Sequence, residues 1–133
     1  MKKYLFLALF IFATISLKAQ KMVTITADNN AVYNTVEVQP IPPNGMAGFY
    51  KFLSDHIKYP AKERADHVQG KVIMQFVIER DGSLTDIKIL RSPAEALATE
   101  AVRVVKAAGN WTPGTQGGKK VRVQFTIPVN FTL

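Results

Sequence analysis

The chain has 133 residues, of which 47 % are apolar and 20 % charged, and it contains no cysteine. That length suits one small domain, and the lack of cysteine excludes disulfide bridges, thiol catalysis and cysteine-ligated zinc. The formal net charge of +7 suggests a nucleic-acid binder, but the N-terminal residues change that interpretation.

The N-terminus predicts an export signal. Two lysines precede the apolar run 4–17, and Ala19 provides a small residue for cleavage. A membrane-spanning helix needs about 20 apolar residues, so this run is short for a permanent anchor. We predict a signal peptide over residues 1–19 and a location outside the cytoplasm, with anchoring in the membrane through residues 4–17 as the alternative. Cleavage lowers the basic count from 17 to 14 against 10 acidic residues, and this modest charge, together with export, argues against nucleic-acid binding.

Residues 20–45 are interpreted as a lead-in that ends in a stiff boundary. Residues 20–38 show a loose alternation at Met22, Val23 and Ile25, and this segment is compatible with a strand or with an unstructured lead-in. Residues 40–45 contain three prolines and a glycine, and proline restricts both its own φ and the residue before it. We predict that the folded domain follows this stretch and covers residues 46–133.

The first part of that domain has helical spacing. Apolar residues recur every three or four positions over 46–57, which predicts an amphipathic helix. Tyr59-Pro60 ends this helix, and Pro60 can open a second short helix over residues 61–65 because proline is tolerated in a first turn.

A further helix is predicted after residue 91. Ser92 and Glu95 have the spacing of a capping box, Pro93 suits the first helical position, and Gly109 suits the C-terminal cap. Small apolar residues along this helix allow it to lie close against a sheet.

Three segments have the period of two that is typical of strands. Residues 72–78 and 84–90 flank the turn Asp81-Gly82 and predict a hairpin. Strict alternation over 121–133 predicts a long strand with one buried face, and Pro128 favours a place at the sheet edge. We therefore predict an α+β fold, in which a three-stranded antiparallel sheet packs two helices on one face, in the order helix, hairpin, helix, strand.

The sequence offers little for catalysis. His56 and His67 do not have the spacing of metal ligands. Gly114–Lys119 resembles a phosphate loop only faintly, because it precedes a strand instead of opening a helix. Trp111 is interpreted as closing the end of the core. We predict no catalytic residue, no metal, no cofactor and no small-molecule substrate, and therefore no enzyme.

Several short motifs nevertheless occur in a recognisable order. Taken together, they resemble the C-terminal domain of the TonB family, in the exported, stand-alone form typical of Bacteroidota. The motif residues are Tyr59, Pro60, Gly70, Asp81, Gly82, Trp111, Pro113 and Gly114.

The resemblance implies a periplasmic module that binds TonB-dependent outer-membrane transporters. Its partner would be the TonB box, an extended transporter segment that adds a strand to the last strand of the domain. The alternative is an accessory or self-associating envelope module, including a homodimer, that is not coupled to energy transduction. The resemblance places the docking edge at Arg122, Val123, Gln124, Phe125, Thr126, Ile127 and Asn130, and a neighbouring contact at His56, Lys58 and Tyr59.

Overall fold

The computed structural model describes residues 30–133, so the predicted signal peptide and its cleavage site lie outside the described residues. The described chain is a mixed α+β fold, as predicted. Within it, no helix is long and apolar enough to cross a membrane. The elements in chain order are β1 (Val32–Tyr33), α1 (Gly45–His56), α2 (Ala61–Ala65), β2 (Gly70–Ile78), β3 (Leu84–Arg91), α3 (Glu95–Ala107), β4 (Thr115–Gln116), β5 (Lys119–Lys120) and β6 (Arg122–Phe131).

The main sheet has the strand order β1-β6-β2-β3. Its three long strands are antiparallel, with β2 in the centre, as the period-two segments predict. The fourth strand, β1, adds only two parallel pairs at the start of β6. Strands β4 and β5 form a separate hairpin in the region that faintly resembled a phosphate loop.

The core lies between one face of the sheet and helices α1 and α3. The strict alternation along β6 places every second side chain opposite a buried residue of β2, for example Ile127 opposite Met74 and Val129 opposite Val72. Helix α1 contributes Phe49 and α3 contributes Leu97 to the same cluster. Apolar burial on this one face stabilises the domain, which contains no disulfide.

The predicted capping box at Ser92 is wrong, because α3 begins only at Glu95. Strand β3 continues to Arg91, and Ala94 is still extended, with φ −155° and ψ 151°. The Ser92 hydroxyl donates a hydrogen bond to the Ala94 carbonyl at 2.6 Å instead of capping the helix. The other end agrees with the prediction: Gly109 follows the helix with φ 101°.

The proline-rich stretch is part of the folded domain. Pro40 and Pro42 are buried, and Ile41 exchanges two backbone hydrogen bonds with Thr112, at 2.9 and 2.7 Å. The segment from residue 34 to residue 44, which we call the strap, therefore runs along the domain and is not a boundary before it. The folded domain therefore includes residues before 46, because the strap connects α1 to β1.

Candidate functional site

The two outer edges of the sheet differ in regularity. The pairing of β3 with β2 has two register shifts, and at one of them Asp86 adopts the left-handed conformation, with φ 48°. Lys88 and Arg91 are exposed along the same strand. Bulges and charged side chains oppose the addition of another strand, so the β3 edge is protected against pairing.

The β6 edge is regular. Nine consecutive pairs join β6 to β2, from Val123 opposite Ile78 to Phe131 opposite Gly70, with no register shift. On the other side of β6, β1 pairs only with Arg122 and Val123. Among the described residues, no strand covers the outer side of β6 from residue 124 to residue 131. This part of β6, which we call the open edge, contains five of the seven predicted docking residues.

Pro128 indicates the direction in which the main chain of the open edge points. It pairs with Ile73 in the middle of an unbroken ladder, although proline has no N–H to donate. A missing donor is tolerated on the outer side of an edge strand, and successive N–H groups of a strand point to opposite sides. We infer that the main chain at Gln124, Thr126 and Asn130 faces outward with that of Pro128.

A groove flanks the far end of the open edge. It has a volume of about 400 Å³ and lies between α1 and the end of β6. Burial raises the pKa of the Tyr50 hydroxyl in its wall. The groove brings together two predicted site residues, Tyr59 and Asn130, that are far apart in sequence. Its lining consists of Tyr50, Leu53, Ser54, Ile57, Tyr59, Val129, Asn130, Phe131 and Thr132.

The predicted neighbouring contact has a fixed backbone and exposed side chains. His56 is exposed and stacks on Phe52 with ring centroids 4.0 Å apart. The Lys58 side chain is also exposed. Tyr59 serves the fold, because its hydroxyl donates to the Val68 carbonyl and its ring contacts Phe131 edge-on.

Glu100 fixes this segment, and the sequence analysis did not identify that role. Its carboxylate accepts hydrogen bonds from Arg103 Nε at 2.5 Å and from the Lys58 N–H at 2.5 Å. The Arg103 guanidinium holds the pKa of Glu100 below its usual value, and it also donates to the His56 carbonyl at 3.0 Å. The only sequence signal for this role was a glutamate followed three residues later by an arginine, which predicts an ion pair on one helix. The contacts of this pair with residues 56–58 could not be predicted, because those residues are distant in sequence.

Arg122, a predicted docking residue, is engaged within the domain. Its Nε and Nη2 atoms donate to the two carboxylate oxygens of Glu79 at 2.8 and 3.0 Å. Its Nη1 atom donates to the Asn30 carbonyl at 3.0 Å. The same guanidinium lowers the pKa of Glu79. The start of β6 is therefore occupied by β1 and its ion pair, and the edge is open only from Gln124.

Trp111 closes the core, as interpreted from the sequence. It is 3 % exposed and lies edge-on to Phe49, Phe76 and Phe125, with ring centroids 5.2 to 5.4 Å apart. Within the described residues its indole N–H has no hydrogen-bond partner. The side chain is thus part of the core, and it contacts the open edge through the ring of Phe125, which packs against the same core.

Two of the three motif glycines lie where backbones meet, whereas a Cβ atom at the third, Gly70, would lie 2.7 Å from the Pro93 ring. Gly82 has φ 86°, and a Cβ atom there would lie 2.0 Å from the Trp111 carbonyl oxygen. The Trp111 N–H donates to the Gly82 carbonyl at 2.9 Å. A Cβ atom at Gly114 would lie 3.0 Å from the Val38 carbonyl oxygen. These positions join the hairpin turn and the strap to the segment after α3.

Asp81, Pro60 and Pro113 lie in the segments that connect the helices and strands. The Asp81 carboxylate accepts from the Ser83 N–H at 2.9 Å and so closes the hairpin turn. Pro60 immediately precedes α2, which confirms the predicted short helix. Pro113 is half-buried between Trp111 and Gly114. These motif residues therefore build the scaffold behind the open edge.

The family described as "Gram-negative bacterial TonB protein C-terminal" matches residues 55–133, more than half of the chain. This chain belongs to the TonB C-terminal domain family. A TonB protein of Helicobacter pylori is 29 % identical over 82 residues, which cover 61 % of this chain and 27 % of that protein. A TonB protein of Pseudomonas aeruginosa is 34 % identical over 68 residues, which cover 51 % of this chain and 20 % of that protein.

The solution structure of the Helicobacter pylori TonB C-terminal domain is similar to this fold. The TM-score is 0.51 at 25 % identity, covering 66 % of this chain and 79 % of that chain. The chain spans less than a third of the length of the TonB proteins it matches. The TonB C-terminal domain is a protein-interaction module of energy transduction and not a known enzyme family.

Proposed function

We propose that this protein binds TonB-dependent outer-membrane transporters in the periplasm, by accepting an extended transporter segment as a new strand along the open edge. The observation that carries the proposal is the regular β6 edge, which is uncovered from residue 124 to residue 131 among the described residues. Main-chain hydrogen bonds supply affinity in this mode of recognition, and side-chain pockets supply specificity.

The groove beside the open edge is needed for affinity. An added strand as long as the open edge makes about seven main-chain hydrogen bonds, because Pro128 has no N–H to donate, and each has a net value of about 1 kcal/mol. Ordering the backbone of such a strand costs about 1–2 kcal/mol for each of its residues. Main-chain pairing alone therefore does not give stable binding, and apolar burial against the partly exposed Tyr50 and Ile57 supplies the remainder. We expect a partner segment with apolar side chains on its helix-facing side and a modest affinity.

The exposed side chains of His56 and Lys58 make the neighbouring contact in this proposal. Arg103 and Glu100 hold the backbone of both residues. A fixed backbone with exposed side chains allows contacts to a partner without a large ordering cost. Tyr59 contributes through the wall of the groove.

The proposal includes export and cleavage after Ala19. Intact mass of the protein from the cell envelope tests this part, and we expect a chain that starts at Gln20. A chain that retains residues 1–19 and fractionates with the inner membrane would instead support anchoring through residues 4–17.

The test of strand addition is Thr126→Pro, with Thr126→Val as the matched control. Thr126 is exposed on the open edge, so both variants change a solvent-facing side chain, but only proline removes the outward N–H. We expect Thr126→Pro to keep the circular dichroism spectrum and to weaken binding of a synthetic TonB-box peptide about tenfold. Thr126→Val should bind like the native protein.

Equal binding by Thr126→Pro and Thr126→Val would refute strand addition at this edge. The native protein could instead fail to bind the peptide and form a stable dimer that Thr126→Pro dissociates. That result would favour self-association through the same edge.

A further inference from the structure

Strand β1 covers the start of the edge that we propose for the partner. Val32 pairs with Arg122 and Tyr33 with Val123, in parallel orientation. Directly after Tyr33 the chain bends away from the sheet at residues 34–35. A strand added along β6 therefore meets β1 at the boundary between Val123 and Gln124.

The strand is held from both sides, although it is very short. On its N-terminal side, Arg122 Nη1 donates to the Asn30 carbonyl at 3.0 Å, and the Arg122 guanidinium is fixed by the bidentate ion pair with Glu79. On its C-terminal side, Val38 and Thr115 exchange backbone hydrogen bonds at 3.1 and 2.9 Å. Two backbone pairs alone are weak, so these anchors keep β1 in place.

We propose that β1 is a stop that fixes the length and position of the partner strand. This inference rests on the proposed function. With β1 in place, a partner pairs with residues 124–131 only, which corresponds to about 26 Å of strand. Arg122 and Glu79 are then positioning residues for β1 and do not contact the partner.

The test is the dependence of affinity on peptide length. Four synthetic peptides contain the TonB box of a transporter from the source bacterium and are extended stepwise in the direction of β1: one is shorter than the open edge, one is equal to it in length, and two are progressively longer. Each is titrated calorimetrically against the protein purified from the cell envelope. We expect the affinity of the native protein to rise until the peptide is as long as the open edge and then to remain constant.

The double variant Val32→Gly, Tyr33→Ser weakens the pairing of β1 and should lengthen the edge that is available to the peptide. The affinity plateau should then move to the first of the longer peptides, which exceeds the open edge by the length of β1. This longer peptide should bind the double variant about 3- to 10-fold more tightly than it binds the native protein.

Two further proteins separate loss of β1 from a general disturbance of the fold. The matched control is Asn34→Gly, Thr35→Ser, which changes two exposed residues just beyond β1 and should keep the plateau of the native protein. Glu79→Gln removes one charge from the pair that positions Arg122 and should move the plateau in the same direction as the double variant. Melting curves of all four proteins check that each is folded.

The outcomes separate the stop from the function on which it rests. Binding by the native protein that continues to strengthen with peptides longer than the open edge overturns the stop alone. The stop is also overturned if the affinity plateau lies at the same peptide length in the native protein, the double variant and Glu79→Gln. Failure of every peptide to bind the native protein overturns the proposed function.

Discussion

Replacement of Trp111 separates the stability of the domain from its recognition of a partner. The indole is 3 % exposed and contacts three aromatic rings edge-on. Truncation of a buried tryptophan costs about 3–5 kcal/mol, because the favourable burial of its apolar atoms is lost and a cavity remains. For a domain of about 100 residues, each kcal/mol lowers Tm by roughly 4–8 °C. We expect Trp111→Ala to lower Tm by at least about 12 °C, or to leave the chain unfolded at about 37 °C.

Trp111→Phe is the matched control for this prediction. It keeps an aromatic ring against Phe49 and Phe76 and removes an indole N–H that has no partner among the described residues. A buried donor without a partner destabilises the fold, so its removal offsets part of the stability that is lost with the smaller side chain. We expect Trp111→Phe to lose less than half of the unfolding free energy that Trp111→Ala loses, as measured by urea denaturation. A Trp111→Ala protein with the native Tm but without peptide binding would show that the indole serves recognition and would refute the structural role.

Two further predictions concern the scaffold. Hydrogen bonds from Arg122 and Arg103 are the chief cause of the lowered pKa values of Glu79 and Glu100, respectively. The two ionised carboxylates therefore stabilise the fold fully above their unfolded-state pKa of about 4.3, and this stabilisation is lost as the pH falls through the folded-state pKa. The unfolding free energy should therefore decrease when the pH is lowered below about 5. Glu100→Gln should reduce this decrease, whereas Glu37→Gln, at an exposed position, should not. An identical pH dependence of the unfolding free energy in both variants would contradict the assignment. Gly82→Ala should destabilise the domain by more than about 2 kcal/mol, because of its positive φ and the Trp111 carbonyl oxygen. Gly118→Ala has a similar φ of 76° but open space around it, so equal urea midpoints for the two variants would show that the contact with Trp111 has no effect.

The fold was largely predictable because its determinants are local. Alternation over 72–78 and 121–133 identifies two strands, and the Asp81-Gly82 turn pairs the first of them with its neighbour. Pro128 also indicated correctly that the last strand lies at an edge over most of its length. Each of these signals lies within a few residues of the structure that it predicts.

The errors and omissions come from contacts between distant segments. Ser92 has the sequence of a helix cap, but Arg91 still pairs with Ile73, so the chain needs a further extended stretch before α3 begins. The strap was not predicted, because buried prolines leave no periodic pattern. For residues 20–38 the sequence left a strand and an unstructured segment open, because the two backbone pairs of β1 are too few to give a clear pattern.

The candidate site was only partly predictable for the same reason. The edge strand follows from alternation, whereas the engagement of Arg122 with Glu79 joins residues 43 positions apart. The hydrogen bond from Lys58 to Glu100 spans 42 positions. Local spacing cannot reveal either contact, so Arg122 looked like a free docking residue.

Amide hydrogen exchange with and without a TonB-box peptide tests the central claim most directly. The account predicts that the peptide slows exchange at the outward amides of Gln124, Thr126 and Asn130, while the amides of β3 exchange at the same rates as before. Slowed exchange along β3 with unchanged rates at these three amides would contradict strand addition to β6.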